Sequence, residues 1–257
     1  MPPLPTTPAT VPDALAAALR ADPGRPLVTF YDDAMGERIE LSVKTFDNWV
    51  SKIANLFSHE LMLSPGDNVA IDLPTHWLSP VTAVAAWVAG LVVTLPSPGQ
   101  PPSSTAARIV GPPALADSPG GTGQVVACSL RPLGGRFVEP LPAGWLDFGA
   151  EVPAQPDVVL DPVPAGPDTV AADHHGRLFT QAELVQAGLD AADRVGLSAG
   201  GRLATDINPM TGEGLAVSLL GPLVTGSSVV LVVNADVPRR DVIASQERVT
   251  CQAWVTA

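Results

Sequence analysis

Few residues of this chain have the type and spacing to do chemistry, and they fall in three places. The first is a polar turn, Asp173-His174-His175-Gly176-Arg177, between two runs of strand character. The histidines with Asp173 could serve as an acid/base pair or bind a metal. Adjacent histidines at a hairpin tip are expected to point apart into solvent, whereas site residues need a cleft.

The second place is the pair Asp72 and Asp206, each closing a strand-like run. Ligands of open α/β sheets bind at the carboxyl ends of strands, although an Asp there more often serves turn or cap geometry. His76 follows Pro74 in a strand-to-helix loop and is read as a cleft lip, and Thr211 sits in the corresponding later loop. The candidate cleft is therefore Asp72, His76, Asp206 and Thr211 with the 173–177 turn. The third place, Gly120-Gly121-Thr122-Gly123, looks like a phosphate loop but precedes a strand instead of following one, so it is set aside. No Gly-x-Ser-x-Gly elbow occurs. Cys128 and Cys251 have no neighbouring His, and the lysines are Lys44 and Lys52 alone. Neither a metal site nor a cofactor is expected.

Composition narrows the partners. Fourteen Lys and Arg against 26 Asp and Glu leave a net charge of −12 over 257 residues, which argues against nucleic acid and anionic membrane surfaces. The N-terminus has no basic, apolar leader pattern, so a cytoplasmic protein with reduced thiols is expected. Leu78–Leu95 and Leu215–Asn234 are uncharged, but each contains Pro and an internal Gly before a Val/Leu run. Each reads as a buried helix, a Gly cap and a buried strand. Trp49, Trp87 and Trp254 fit apolar patterns and are expected in the core; Trp77 and Trp145 are expected in loops as surface contacts.

The elements that must position these residues come in two copies. Leu63-Ser-Pro-Gly-Asp-Asn-Val-Ala-Ile-Asp-Leu73 recurs as Leu197-Ser-Ala-Gly-Gly-Arg-Leu-Ala-Thr-Asp-Ile207, 134 residues later. Gly90-Leu-Val-Val-Thr-Leu95 echoes Gly226-Ser-Ser-Val-Val-Leu231 at an offset of 136. Each unit reads as a hairpin, an amphipathic helix (42–60; 180–195), a tight turn, a strand, an apolar helix and a second strand. Thr180 and Glu183 form a capping box. The fold class is α/β: two pseudo-symmetric βαβ-type lobes whose mostly parallel sheets are covered by helices. The expected divisions are a loose tail (1–12), a first lobe (13–111), a Pro/Gly-rich connector with short strands (112–167) and a second lobe (168–257). Within the region between the lobes, strand runs are read at 108–111, 124–128 and 158–160. A last helix is read at 239–248 and a last strand at 251–256.

The order Arg25-Pro-Leu-Val-Thr-Phe30, the helix after Leu41, Leu63-Ser-Pro-Gly-Asp-Asn-Val-Ala70, Leu73-Pro74 and Gly90–Pro96 resembles the start of adenylate-forming enzymes. These are the acyl-CoA synthetase, adenylation-domain and luciferase superfamily. The second unit is similar to the next part of such enzymes. The resemblance is to short, uncharacterised actinobacterial homologues of the AMP-binding domain. It implies that a Ser/Thr/Gly-rich phosphate loop ending in Pro-Lys-Gly would stand at 170–180, where this chain has the degenerate turn Asp173–Arg177 with no Lys. The family's metal ligands, adenine-binding strand and mobile domain with its catalytic Lys would lie beyond residue 257. The expectation is a pseudoenzyme with a binding or scaffolding role and a homodimer or protein partner. The alternatives are residual adenylate or acyl-CoA ligase activity, a half-site completed by a partner, or an acyl or small-molecule sensor.

Overall fold

A computed structural model describes residues 7–95, 105–112 and 123–255. The chain opens with helix α1 (Val11–Ala21), started by the Thr10 side chain accepting the Asp13 N–H, with Pro12 in the first turn. Of the expected loose tail, residues 1–6 lie outside the described residues, but its end is fixed: Thr10 and Val11 are buried, and the Val11 N–H donates to Gln181 Oε1 at 3.0 Å. The cap pattern Thr-x-Pro-Asp was the signal for it.

Each repeated unit then lays out the same elements. The first has the hairpin β1 (Pro26–Asp32) and β2 (Glu37–Ser42), and helix α2 (Val43–Asn55), which ends in a π turn at Leu56–Glu60. Next come β3 (Asn68–Asp72), α3 (Leu78–Val88), β4 (Val92–Thr94) and β5 (Ala107–Val110). The connector adds β6 (Gln124–Ala127), β7 (Trp145–Asp147) and the short α4 (Phe148–Glu151). The second unit has β8 (Val170–His174), β9 (Arg177–Thr180) and α5 (Gln181–Val195), whose Thr180–Glu183 capping box is complete. It continues with β10 (Arg202–Thr205) and α6, the consecutive turns Gly212–Gly214, Leu215–Leu220 and Gly221–Val224. β11 (Ser228–Val233), α7 (Val237–Gln246) and β12 (Cys251–Ala253) finish it. Gly90 and Gly226 take φ of 75° and 66°, the left-handed conformation that ends each apolar helix before its strand.

The sheets divide the chain differently from contiguous lobes over 13–111 and 168–257. One sheet runs β12-β10-β11-β1-β2 and the other β7-β6-β5-β3-β4-β8-β9. Each unit lends its hairpin to the sheet of the other: β1 pairs parallel with β11, and β8 parallel with β4. Both hairpins carry a register shift near their start, at Pro26/Val28 and at Val170/Ala172. The symmetry reaches single hydrogen bonds. Val43 N donates to Arg25 O just as Gln181 N donates to Thr169 O, and Lys44 N to Pro23 O as Ala182 N to Pro167 O.

One hydrophobic core unites both units. It takes Val229 and Leu231 from the first sheet, Val69 and Ile71 from the second, and the inner faces of α1, α2, α3, α5 and α6. The alternating residues Val230 and Val232 face the other way, onto Ile243 of α7. Strands apolar on both faces are what helix-covered parallel sheets require. The run 158–160 is no strand. Asn55 satisfies it instead, donating to Val158 O at 2.8 Å and accepting from Leu160 N at 3.0 Å, so its backbone needs no ladder. Trp77 is fully buried, not a surface contact, and packs 5.2 Å from Trp49. Trp145 lies in β7, half-buried against the small cluster of Val110, Val125 and Ala127. Of the final strand reading, 251–253 is strand and residue 256 lies outside the described residues, as do Gly120, Gly121 and Thr122.

Candidate functional site

The carboxyl ends of β3 and β10 face one another across the pseudo-twofold, and the loops that follow them interlock. Thr75 Oγ1 donates to Asp206 O at 3.2 Å, and Asn208 Nδ2 donates to Leu73 O at 3.0 Å. Asn208 Oδ1 also accepts from Met210 N at 2.9 Å, and Thr211 caps α6 by accepting from Gly214 N at 3.0 Å. Three of the sequence-read cleft residues, His76, Asp206 and Thr211, therefore sit on loops that touch.

Their side chains are committed to structure. The Asp206 carboxylate holds Arg240 Nη2 at 2.8 Å and Val255 N at 2.7 Å, and Arg240 in turn lies over Trp254 at 4.6 Å. Asp72 is turned aside, half-exposed, 4.0 Å from Arg108 Nη2. His76 is not a cleft lip. It is 3 % exposed, with its ring edge-on to Phe30 at 4.6 Å and next to Trp77. Its Nδ1 accepts from Leu78 N at 3.2 Å, at the start of α3, which leaves Nε2 buried without a partner among the described residues. Burial pushes its pKa down to about 3, against a weak upward pull from Asp32, so the ring is neutral.

The 173–177 turn is tighter than a phosphate loop. β8 and β9 are joined through two residues, His175 and Gly176, at φ of 56° and 80°. Positive φ at both centres is the twist-matched turn of a two-residue hairpin. Asp173 Oδ1 accepts the Gly176 N–H at 2.8 Å, so the backbone donor that an anion would use is already taken. Arg177 is directed away, over the Phe179 ring at 4.4 Å and 3.9 Å from Glu183. The two histidine rings do not diverge: their centroids are 4.2 Å apart, because the left-handed His175 folds back on His174. Burial and the charge of His175 push the His174 pKa down, with Asp173 opposing. His174 also lies against Gly212, where a Cβ would come within 2.8 Å of its Cε1, so the turn abuts the Thr211 loop.

Beneath this contact is a pocket of about 70 Å³ lined by Phe179, Leu184, Leu215 and Leu220. Among the described residues, no group of three or more His, Cys, Asp or Glu could hold a metal ion, and no helix is long and apolar enough to cross a membrane. Both cysteines are free, and burial pushes the Cys128 thiol pKa up. Sequence reasoning missed Thr75, Asn208, Gly212 and Arg240. The repeat offset carried the signal for the first two, since it aligns the loop after β3 with the loop after β10.

No family model matches the chain. A curated relative from Mycobacterium tuberculosis, described as "TIGR03089 family protein", is 38 % identical over 233 residues, 90 % of this chain and 93 % of that one. Among solved structures, an acyl-CoA synthetase from Brucella canis superposes with a TM-score of 0.78 at 20 % identity, over 94 % of this chain and 47 % of that one. A mutant coronafacic acid ligase from Pectobacterium brasiliense gives 0.74 at 12 % identity, over 95 % and 50 %. A benzoate CoA ligase from Burkholderia xenovorans gives 0.69 at 16 % identity, over 92 % and 47 %. The chain spans about half the length of these ligases and shares the fold of the N-terminal part of adenylate-forming enzymes.

Proposed function

The chain belongs to the TIGR03089 family, and on that premise we propose that it is a non-catalytic relative of the adenylate-forming enzymes, a pseudoenzyme that binds or scaffolds and does not adenylate a carboxylate. The observation that carries this reading is the Asp173-capped, two-residue turn at the place of the phosphate loop. Adenylation needs several donors converging on a phosphate under attack. At this turn the Gly176 N–H is already bonded to a carboxylate, and the Arg177 guanidinium is stacked on Phe179. The 70 Å³ beneath it compares with the ~300 Å³ or more of ordinary small-molecule sites. A protein partner or a second copy of the chain is the occupant this reading expects, and light scattering on the purified protein reads the second.

The test is ATP–pyrophosphate exchange with a panel of aliphatic and aromatic acids, alongside thermal denaturation with ATP and Mg²⁺. No exchange and an unmoved midpoint are expected. Saturating ATP would add about 2.7 kcal/mol at a hundred times its Kd and raise the midpoint by roughly 5–10 °C. Such a rise, or any acid-dependent exchange, overturns the reading.

A further inference from the structure

The opposite edge of the sheets, where the parallel strands begin, carries two pockets related by the same pseudo-symmetry. They are about 450 Å³ and 440 Å³. Their walls correspond residue by residue: Gly200 to Gly66, Arg202 to Asn68, Gly226 to Gly90, Ser228 to Val92, Arg25 to Thr169 and Glu40 to Leu178. The first-unit pocket is uncharged, and the connector at Val163-Pro164-Ala165 forms part of its wall. The second-unit pocket is lined by Arg25, Arg202, Arg248, Glu40 and Glu247, in a chain that has only 14 cations.

The charges there do not cancel. Arg38 binds Glu40 at 2.6 Å and Glu247 at 2.9 Å, and Arg202 binds Glu247, so two carboxylates are matched by two arginines. Arg25 and Arg248 are left over. Neither forms an ion pair within 4 Å among the described residues: Arg25 donates to the Ser227 carbonyl at 2.9 Å and feels the Asp22 carboxylate only at longer range, where its pull does not offset the lowering of the Arg25 pKa by burial. Arg25 Nη2 and Arg202 Nε are both buried with no acceptor among the described residues, a costly state for a guanidinium. Helix C-termini lie along this edge and attract cations. The first unit, however, carries Asn68, Thr169 and Leu178 at the equivalent edge, so the fold does not need the arginines.

We propose that this second-unit pocket binds a small ligand through an oxyanion group, carboxylate or phosphoryl, held by Arg25, Arg202 and Arg248. Guanidinium forks match both groups in a bidentate manner, and the volume suits a small metabolite. The site lies at the edge opposite the 173–177 turn, so it stands or falls independently of the non-catalytic reading.

The test is a titration of the ¹⁵N-labelled protein with inorganic phosphate and, separately, with succinate, against sodium chloride at matched ionic strength. Saturable shifts are expected at the Gly200, Gly201 and Gly226 amides, with a Kd of about a millimolar or below for at least one probe. The Gly66 and Gly90 amides of the uncharged pocket serve as the internal control and stay unmoved. A response to phosphate alone assigns a phosphoryl ligand and a response to succinate alone a carboxylate, each supporting the site. Arg25→Gln is expected to weaken binding by about tenfold or more. Arg248→Glu, at an exposed position whose loss leaves the core intact, is expected to do the same. The proposal is overturned if neither probe gives a saturable shift, if both pockets respond alike, or if Arg248→Glu binds as tightly as the parent.

Discussion

The two units of this chain are built to one plan and finished differently, at both edges of their sheets. At the carboxyl edge the loop after β3 carries His76 and Trp77, fully packed, whereas the loop after β10 places Met210 and Thr211 at the same offsets. The first loop starts α3 with a ring nitrogen; the second starts α6 with a hydroxyl cap. At the amino edge one pocket is uncharged and partly walled by the connector, and the other is lined by arginines. The difference teaches which features the fold demands and which it merely permits. Backbone hydrogen bonds and glycine caps are duplicated because a hairpin-helix-strand unit needs them. Charges and ring nitrogens are not duplicated, so their reasons must be sought in packing or binding.

Exchanging residues between equivalent positions breaks this comparison at graded cost. The largest effect is expected for Gly188→Val, which places in α5 the residue that α2 has at Val50. A Cβ at Gly188 would lie 2.8 Å from Leu220 Cβ and 2.9 Å from its carbonyl carbon, so α5 and α6 must separate. A loss of about 3 kcal/mol or more is expected, read by urea denaturation. A variant as stable as the parent would mean that α6 is not seated on α5 as closely as this contact requires.

His76→Met, which imports the second unit's residue, tests the buried ring through pH. The unfolded His76 binds a proton near its ordinary pKa of about 6.5, and the folded one only near 3. Between those values the unfolded state holds more protons, so folding stability is full above pH 6.5 and falls as the pH drops toward 3. The fall amounts to about 2 kcal/mol by pH 5. The variant is expected to lose this component, which denaturation at pH 7 and pH 5 measures. An unchanged pH slope would place the acid sensitivity elsewhere.

The smallest change is expected for Asp173→Ala, which frees the Gly176 N–H at an exposed hairpin tip. About 1 kcal/mol of stability should be lost. ATP should still fail to protect the protein, because one freed donor does not make a phosphate loop. Protection by ATP in this variant alone would show that the carboxylate was the principal obstacle.

Much of the fold was legible from local pattern. The Thr180–Glu183 box, the glycines before β4 and β11, and the helical spacing after Ser42 each depend on neighbours a few residues away, and periodicity reports such contacts directly. The site was legible as positions but not as states. His76 reads as a loop residue after Pro74, and only Phe30, from the other sheet, makes it a core residue. Asp206 reads as a strand end, and only Arg240 and Val255 turn it into a half-buried tie.

The sequence by itself determined the doubled unit, its elements, the shortened polar turn at 173–177 and the acidic, arginine-biased charge balance. These are properties of residue order and composition. Only the tertiary structure decided that each hairpin joins the other unit's sheet, because partner choice among parallel strands rests on backbone bonds that any residue can make. It also decided that Arg25, Arg202 and Arg248 surround one pocket, since positions spread over more than 200 residues meet there only when β1 lies beside β11.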